Sequence, residues 1–552
     1  MAIKSENTAA GSSNHSPSAP VSANDPVPTE AQIHLPWYRR RKSIWFKIAA
    51  HLSRLTNGHV KSPGYYRSLE FQREHDAKDF ERYRISPNEH VRTWCLWTVE
   101  FYTPDNIGKL RDALDRLKPA GMEYEERGPG QWLRQNRGRA GNSMELYFVP
   151  KGRPGLGIGH YCPLPDFAEG AHGTIENATP SLTILTMHFL LKDSERDCLE
   201  IELHRDHPSK ITQKPKGVLS ISGVSDEQRR AVEDKRLHWI SQATSWHREN
   251  FPGLLSGNGE LVSSCVLDVV DGAEPLGVER TNLLEALDLV RSYEVYENRM
   301  RDGQGLLKLS RGAGSARLGG LRLLSINRER LAEFETVGYG NDDDGRVAHI
   351  DAMFRRTYTW IALPRVLDFY DRRAVQARDG AAALVGSRNA SRALERVRAD
   401  TAQSIDAAVI ARELHGAAKT GRLPRCEMDF ILRPIFANDK ARPLAQTIRE
   451  RVTHQAAELL ADVEALNESL TVQANLLSAH ANLKLQPWII TLAVISAIAG
   501  VIAAIGPLHD LMWPKLAPTV ECATVHPSPS EKASGMPPAQ ALHPKRPISD
   551  RK

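Results

Sequence analysis

The chain has 552 residues, of which 41% are apolar and 25% charged, with a formal net charge of +5. That is ordinary globular composition, long enough for two or three domains, and the charge is too small to point to a nucleic-acid partner. Cys95, Cys162, Cys198, Cys265, Cys426 and Cys522 are scattered without a CxxC pair, which argues against a zinc ribbon or a disulfide framework and fits a reducing compartment.

Residues 1–32 are rich in Ser, Ala, Asn and Pro and read as a disordered leader. The leader has no apolar core and does not resemble a signal peptide, so the bulk of the chain is expected in the cytoplasm. Residues 33–58 form a basic amphipathic segment. Arg39, Arg40, Arg41 and Lys42 precede a helical face of Ile44, Trp45, Ile48, Leu52 and Leu55. Basic residues joined to an apolar face with Trp45 suit an anionic membrane surface. A helix docked on the body, with its arginines solvated, is the alternative.

Residues 85–335 read as an α+β domain. The run Thr93–Phe101 is rich in β-formers and predicts a strand. Ile107, Leu110, Leu114 and Leu117 share one face of a helix over Asn106–Leu117. Further strands are expected at Met144–Val149, Ser181–Leu191, Leu261–Val270, Tyr293–Met300, Gly305–Leu309 and Leu321–Ile326. Asp197–Leu203 reads as a strand paired with Ser181–Leu191 through Lys192–Arg196, as a hairpin. Asp226–Asn250 reads as a helix.

Residues 346–486 read as a helical stalk region. Val347–Ala377 is one helix with a break near Pro364, and Ser391–Ala418 is another. A long pattern then runs from Ala441 to Gln486, with Val452, Ala456, Leu459, Val463, Leu466 and Leu470 in heptad-like steps. That seam either packs on the two preceding helices or forms a coiled coil between chains.

From Leu485 to Leu508 there is no charged residue. A helix rises about 1.5 Å per residue, so residues 487–507 match a hydrocarbon core of roughly 30 Å and predict one transmembrane helix. Trp488, Ile489, Leu492, Ile495, Ser496, Gly500, Ala504 and Ile505 lie in this span. Trp488 and Trp513 suit the headgroup level, and Gly506-Pro507 suits a stop. Ser496, Gly500 and Ala504 recur every four residues, a small-residue stripe that permits close helix approach and self-association. Residues 517–552 are proline-rich and read as a disordered tail.

No local signature of chemistry stands out. There is no P-loop, and the glycines of Arg311–Gly319 do not follow the dinucleotide spacing. His204 and His207, read at a strand end, point to opposite faces and read as polar rather than metal-binding. His349 and Asp351 follow Asp342-Asp343-Asp344, which lacks calcium-hand spacing and reads as a solvated turn. Trp239 and Trp246, with His238 and His247, share one side of a helix and read as an aromatic core. There is no G-x-S-x-G elbow and no HExxH. Catalytic and metal-binding residues stay unassigned, and no cofactor is expected.

The stretch Asn467–Gly500 (NESLTVQANLLSAHANLKLQPWIITLAVISAIAG) carries a family likeness. An Asn/Leu-rich stalk end running directly into a span resembles the CorA-like metal-ion transporter superfamily. The family's Gly-Met-Asn signature is absent, with Gly506-Pro507-Leu508 in its place, and so is a second span. The resemblance therefore implies a shared scaffold of cytosolic domain, stalk helix and membrane. The expected fold is an α+β cytosolic domain followed by a helical stalk and one C-terminal transmembrane helix. The expected role is a single-pass, membrane-anchored sensor or interaction protein. Its partners would be the lipid bilayer, a second copy of itself through stalk and span, and an unidentified protein or small molecule. A CorA-like pore component and a tethered enzyme with a dispersed active site are the alternatives.

Overall fold

The computed structural model describes residues 63–119, 128–149, 159–213, 219–290, 294–298, 305–312, 318–334, 336, 338–384, 390–423, 428–433 and 440–512. The chain divides into two units, Met1–Asn475 and Leu476–Lys552. The leader, the basic segment with Arg39, Arg40, Arg41, Lys42 and Trp45, residue Trp513 and the proline-rich tail lie outside the described residues.

The first unit opens with α1 (Pro63–Arg82), β1 (His90–Tyr102), α2 (Ile107–Asp115), β2 (Lys118–Pro119), α3 (Pro129–Asn136) and β3 (Ser143–Val149). It continues with β4 (His160–Tyr161), β5 (Ala168–Thr179), β6 (Leu182–Leu191), α4 (Asp193–Arg196), α5 (Cys198–Leu203), β7 (Lys210–Gln213), β8 (Leu219–Ser222) and α6 (Val224–Asn250). Then come β9 (Ser263–Asp271), α7 (Asn282–Ala286), β10 (Val295–Asn298), β11 (Lys308–Arg311), β12 (Arg322–Asn327), α8 (Arg328–Ala332) and α9 (Asp343–Ala362). The remaining elements are α10 (Pro364–Leu384), α11 (Ala390–Lys419), β13 (Phe430–Leu432), β14 (Arg442–Pro443) and α12 (Leu444–Met512), the last of which continues into the second unit.

Twelve strands form one mixed sheet in the order β14-β13-β10-β11-β12-β9-β1-β6-β5-β3-β4-β2. Only β9/β12 and β3/β4 are parallel pairs among them. Side chains alternate across a strand, so each strand supplies two cores. Trp97, Val99 and Phe101 of β1 join a core with α9, α10, α11 and the first part of α12. Leu96 and Tyr102 of the same strand join a second core with α2, α5, α6 and α7. The sheet is thus covered by helices on both faces, and β1 and β6 are buried almost throughout.

Pro364 lacks a backbone N–H, and α9 ends at Ala362 as expected before α10 begins. The expected strand at Asp197–Leu203 and its hairpin are wrong: the connecting residues Asp193–Arg196 form α4, and Cys198–Leu203 form α5. Cys-Leu-Glu-Ile-Glu-Leu fits both periods, but Leu199 and Leu203 are buried while Ile201 is 55% exposed. A strand would have put all three on one face; a helix separates Ile201 from the other two. His204 accordingly caps a helix, and His207 Nε2 lies 2.7 Å from the Glu202 carbonyl oxygen. The region read as a helical stalk, 346–486, also contributes β13 and β14, which extend the sheet beyond β10.

The heptad-like seam of α12 is covered within the chain. Val452, Ala456, Leu459 and Val463 are buried in the core that contains Val366, Leu367 and Tyr370 of α10 and Ile410 and Leu414 of α11. At these positions the apolar period reflects packing inside one chain, not a coiled coil between chains. The helix also runs through Pro487 and past the expected stop at Gly506-Pro507 to Met512.

Candidate functional site

Two features depart from an ordinary soluble core. The first is the C-terminal part of α12, the one described helix long and apolar enough to cross a membrane. Trp488, Ile489, Leu492 and Ile495 are 71%, 65%, 65% and 59% exposed. Ser496 and Gly500 are exposed too, and a Cβ added at Gly500 would meet nothing within 4 Å. Ala504 and Ile505 continue the same helix, with side chains outside the described residues. A helix apolar all round needs apolar surroundings. Among the described residues, none of its most apolar window is buried.

The second feature is a polar row on the sheet beneath α9. Cross-strand register places Tyr147 of β3 opposite His172 of β5, His172 opposite His188 of β6, and His188 opposite Trp97 of β1. One row of four rings therefore crosses four adjacent strands. Tyr147 stacks on His172 with centroids 4.0 Å apart, and Trp97 lies 5.4 Å from His188.

Asp351 of α9 sits over this row. Its Oδ1 accepts the Trp97 indole N–H at 2.8 Å. Its Oδ2 lies 3.5 Å from His172 Nδ1, 3.4 Å from His188 Nδ1 and 3.5 Å from Arg355 Nη2. Helical spacing brings Asp351 and Arg355, one turn apart, to the same sheet-facing side. The row reaches the surface through Glu145, whose Oε2 is 3.6 Å from His172 Nε2 and whose Oε1 is 3.7 Å from Arg356.

Burial alone would raise the Asp351 pKa, but the neighbouring His188 and Arg355 hold it below the usual carboxylate range. Burial pushes His188 down to about 4, so its ring is neutral at pH 7. The His172 ring pulls Glu145 down to about 2 against the effect of burial. Burial, then the Glu145 charge, pushes Tyr147 up to about 12. The result is one ionised carboxylate tying α9 to β1 by a hydrogen bond and drawing on imidazoles from β5 and β6. Such an arrangement can position elements and hold protons. These side chains do not form a metal-ligand set: among the described residues no group of three or more His, Cys, Asp or Glu is arranged to hold a metal.

The residues read as a solvated turn, Asp342 to Asp344, instead open α9, and Asp351, inside the helix expected from Val347, is 4% exposed because α9 carries it onto the sheet. The Asp342 carboxylate caps α9 by accepting the Gly345 N–H at 2.8 Å. Trp239, Trp246 and His247 are buried together as expected, with His247 Nε2 2.8 Å from Thr98 Oγ1, whereas His238 faces Gln242 near the surface.

The buried imidazoles make an acid-stability prediction. Burial pushes His247 to about 3 and His188 to about 4, below the ordinary value near 6.5. Between those limits the unfolded chain binds more protons than the folded one, so stability rises with pH and is lost as the pH falls. The full contribution is present above about pH 7 and drains away from about 6.5 towards 4. His188 alone corresponds to roughly 3 kcal/mol across that window. Urea midpoints measured at about pH 7.5 and 4.5 should differ accordingly, and equal midpoints would show that these rings are not held neutral by the fold.

Compared with known proteins, the chain matches no family model, and no curated protein or solved structure matches it significantly.

Proposed function

We propose that this protein is a single-pass, membrane-anchored sensor or interaction protein, with its sheet-and-helix body in the cytoplasm. The observation that carries this reading is the apolar end of α12. Its large side chains from Trp488 to Ile502 are exposed on every side of the helix. Water is a poor solvent for such a surface, whereas a bilayer accepts it and the helix satisfies its own backbone polar groups. The body contributes a recognition surface and a well-packed core, with the Asp351 network fixing α9 on the sheet. Ser496, Gly500 and Ala504 give the anchored chain a route to pair with a second copy. Flotation tests the anchor. The purified 552-residue chain, mixed with phosphatidylcholine vesicles during detergent removal, should rise with them on a density gradient. Protein that stays folded at the bottom would overturn the reading.

A further inference from the structure

The middle of the sheet holds the parallel pair β9 and β12. After β9 the chain passes to α7, whose Leu283 and Leu284 belong to the core on one face. After β12 it passes to α8 and α9, whose Leu331 and Ile350 belong to the core on the other. Neighbouring parallel strands whose continuations part to opposite faces leave a crevice beyond their carboxyl ends, where open sheets commonly bind ligands. A cavity of ≈ 350 Å³ opens at that place. Asp271 at the end of β9 and Arg328 just after β12 line it, together with the start of the antiparallel β1.

Trp94 of β1 gives the crevice a specific donor. The register with β9 shifts between Thr93 and Cys95, so Trp94 is the extra residue of a β-bulge. Bulges re-aim a side chain and gather beside functional sites. Here Trp94 and Cys95 join the same core face, which strict alternation forbids. The Trp94 ring is 3% exposed and lines the cavity, and its Nε1 meets no hydrogen-bond partner among the described residues. The guanidinium carbons of Arg92 and Arg196 lie 5.1 and 4.4 Å from the ring centroid and hold it in place.

Charges of both signs line the cavity. Arg92 Nε is 3.0 Å from Asp197 and Arg328 is 3.4 Å from Asp271, while Glu200, 2.8 Å from the His90 ring, and Asp343 add two further carboxylates. A ligand bearing a single charge would strand one member of a pair; a ligand bearing both signs inserts between them. We propose that this crevice binds a small zwitterion of the amino-acid class. Its carboxylate takes the Trp94 N–H and the guanidinium groups, and its ammonium sits among Asp271, Asp197 and Glu200. The volume lies at the small end of the range for ligand pockets, roughly 300–1,000 Å³, and suits a free amino acid or a dipeptide. As the ligand of a sensor this rests on the reading above, but the binding itself does not need the span, so vesicle flotation and ligand binding can fail separately.

Titration calorimetry on the 552-residue chain in detergent micelles tests it, with each standard L-amino acid as probe and with acetate and ethylamine as half-ligands. At least one amino acid should give saturable heat at concentrations where neither half-ligand does. Trp94→Phe keeps the ring and loses the N–H, and should weaken that binding by about tenfold. Arg328→Gln, at a side chain 60% exposed, should weaken it several-fold without threatening the fold. Absence of saturable heat with every amino acid overturns the proposal. So does equal binding of either half-ligand, or unchanged affinity in Arg328→Gln.

Discussion

Membranes washed at alkaline pH should retain the 552-residue chain, and a chain ending at Gln486 should be lost to the supernatant. Nine large apolar side chains between Trp488 and Ile502 are more than half exposed. At about 1.5–3 kcal/mol for each side chain taken out of water, lipid would stabilise this segment by on the order of 15–25 kcal/mol. A transfer of that size resists washing, unlike a peripheral electrostatic contact. Charges placed at mid-span should reverse it. Ile495→Arg with Ile498→Arg costs about 6–8 kcal/mol of insertion free energy and should move a large share of the protein out of the pellet. Raised salt should have little effect, because the attachment is not screened. A truncated chain that still pellets after the wash would place the membrane contact elsewhere, with the basic segment around Arg39 to Trp45 as the next segment to delete.

The second large effect is expected at Asp351. Asp351→Ala should destabilise the body by about 3–5 kcal/mol, read as a fall in the urea midpoint at pH 7. The substitution removes the acceptor of the Trp97 N–H and leaves the Arg355 charge buried without its carboxylate. The guanidinium is 2% exposed by residue, and its Nε and Nη1 already lack partners among the described residues, so it has little means of compensating. Asp351→Asn keeps an acceptor but loses the charge, and should fall between wild type and alanine. Asp351→Leu combined with Arg355→Met should recover much of the loss, because a buried pair replaced by apolar groups is often close to neutral whereas half a pair is not. A loss under about 1 kcal/mol in Asp351→Ala would show that the network is solvated and does not hold α9 to the sheet.

Several elements were legible in the sequence for local reasons. The β-rich run around Trp97, the amphipathic spacing of Leu110 and Leu114, and Pro364 with its missing N–H each act within a few residues. The apolar end of α12 is legible on the same ground: charge-free apolar length is a property of the segment itself. The aromatic side of α6 was equally readable, since Trp239 and Trp246 lie two turns apart on one face.

Other features were decided only by tertiary contact. β5, with its run of Ala, Gly, His and Asn, has weak strand propensity and lies inside the sheet because β3 and β6 flank it. Cys198–Leu203 satisfies both periods, and the fold chose the helix by burying Leu199 and Leu203. The seam of α12 carries the same period whether it faces its own chain or another, and α10 and α11 decided it. Glu145, His172, His188 and Asp351 are separated by up to 206 residues in sequence, so strand register and the docking of α9 alone bring them together. The crevice at Trp94 exists because two parallel strands send the chain to opposite faces and because a bulge interrupts the alternation of β1. Period, charge and length are written along the chain. Which groups meet depends on the path of the backbone between them, and a linear pattern does not contain that path.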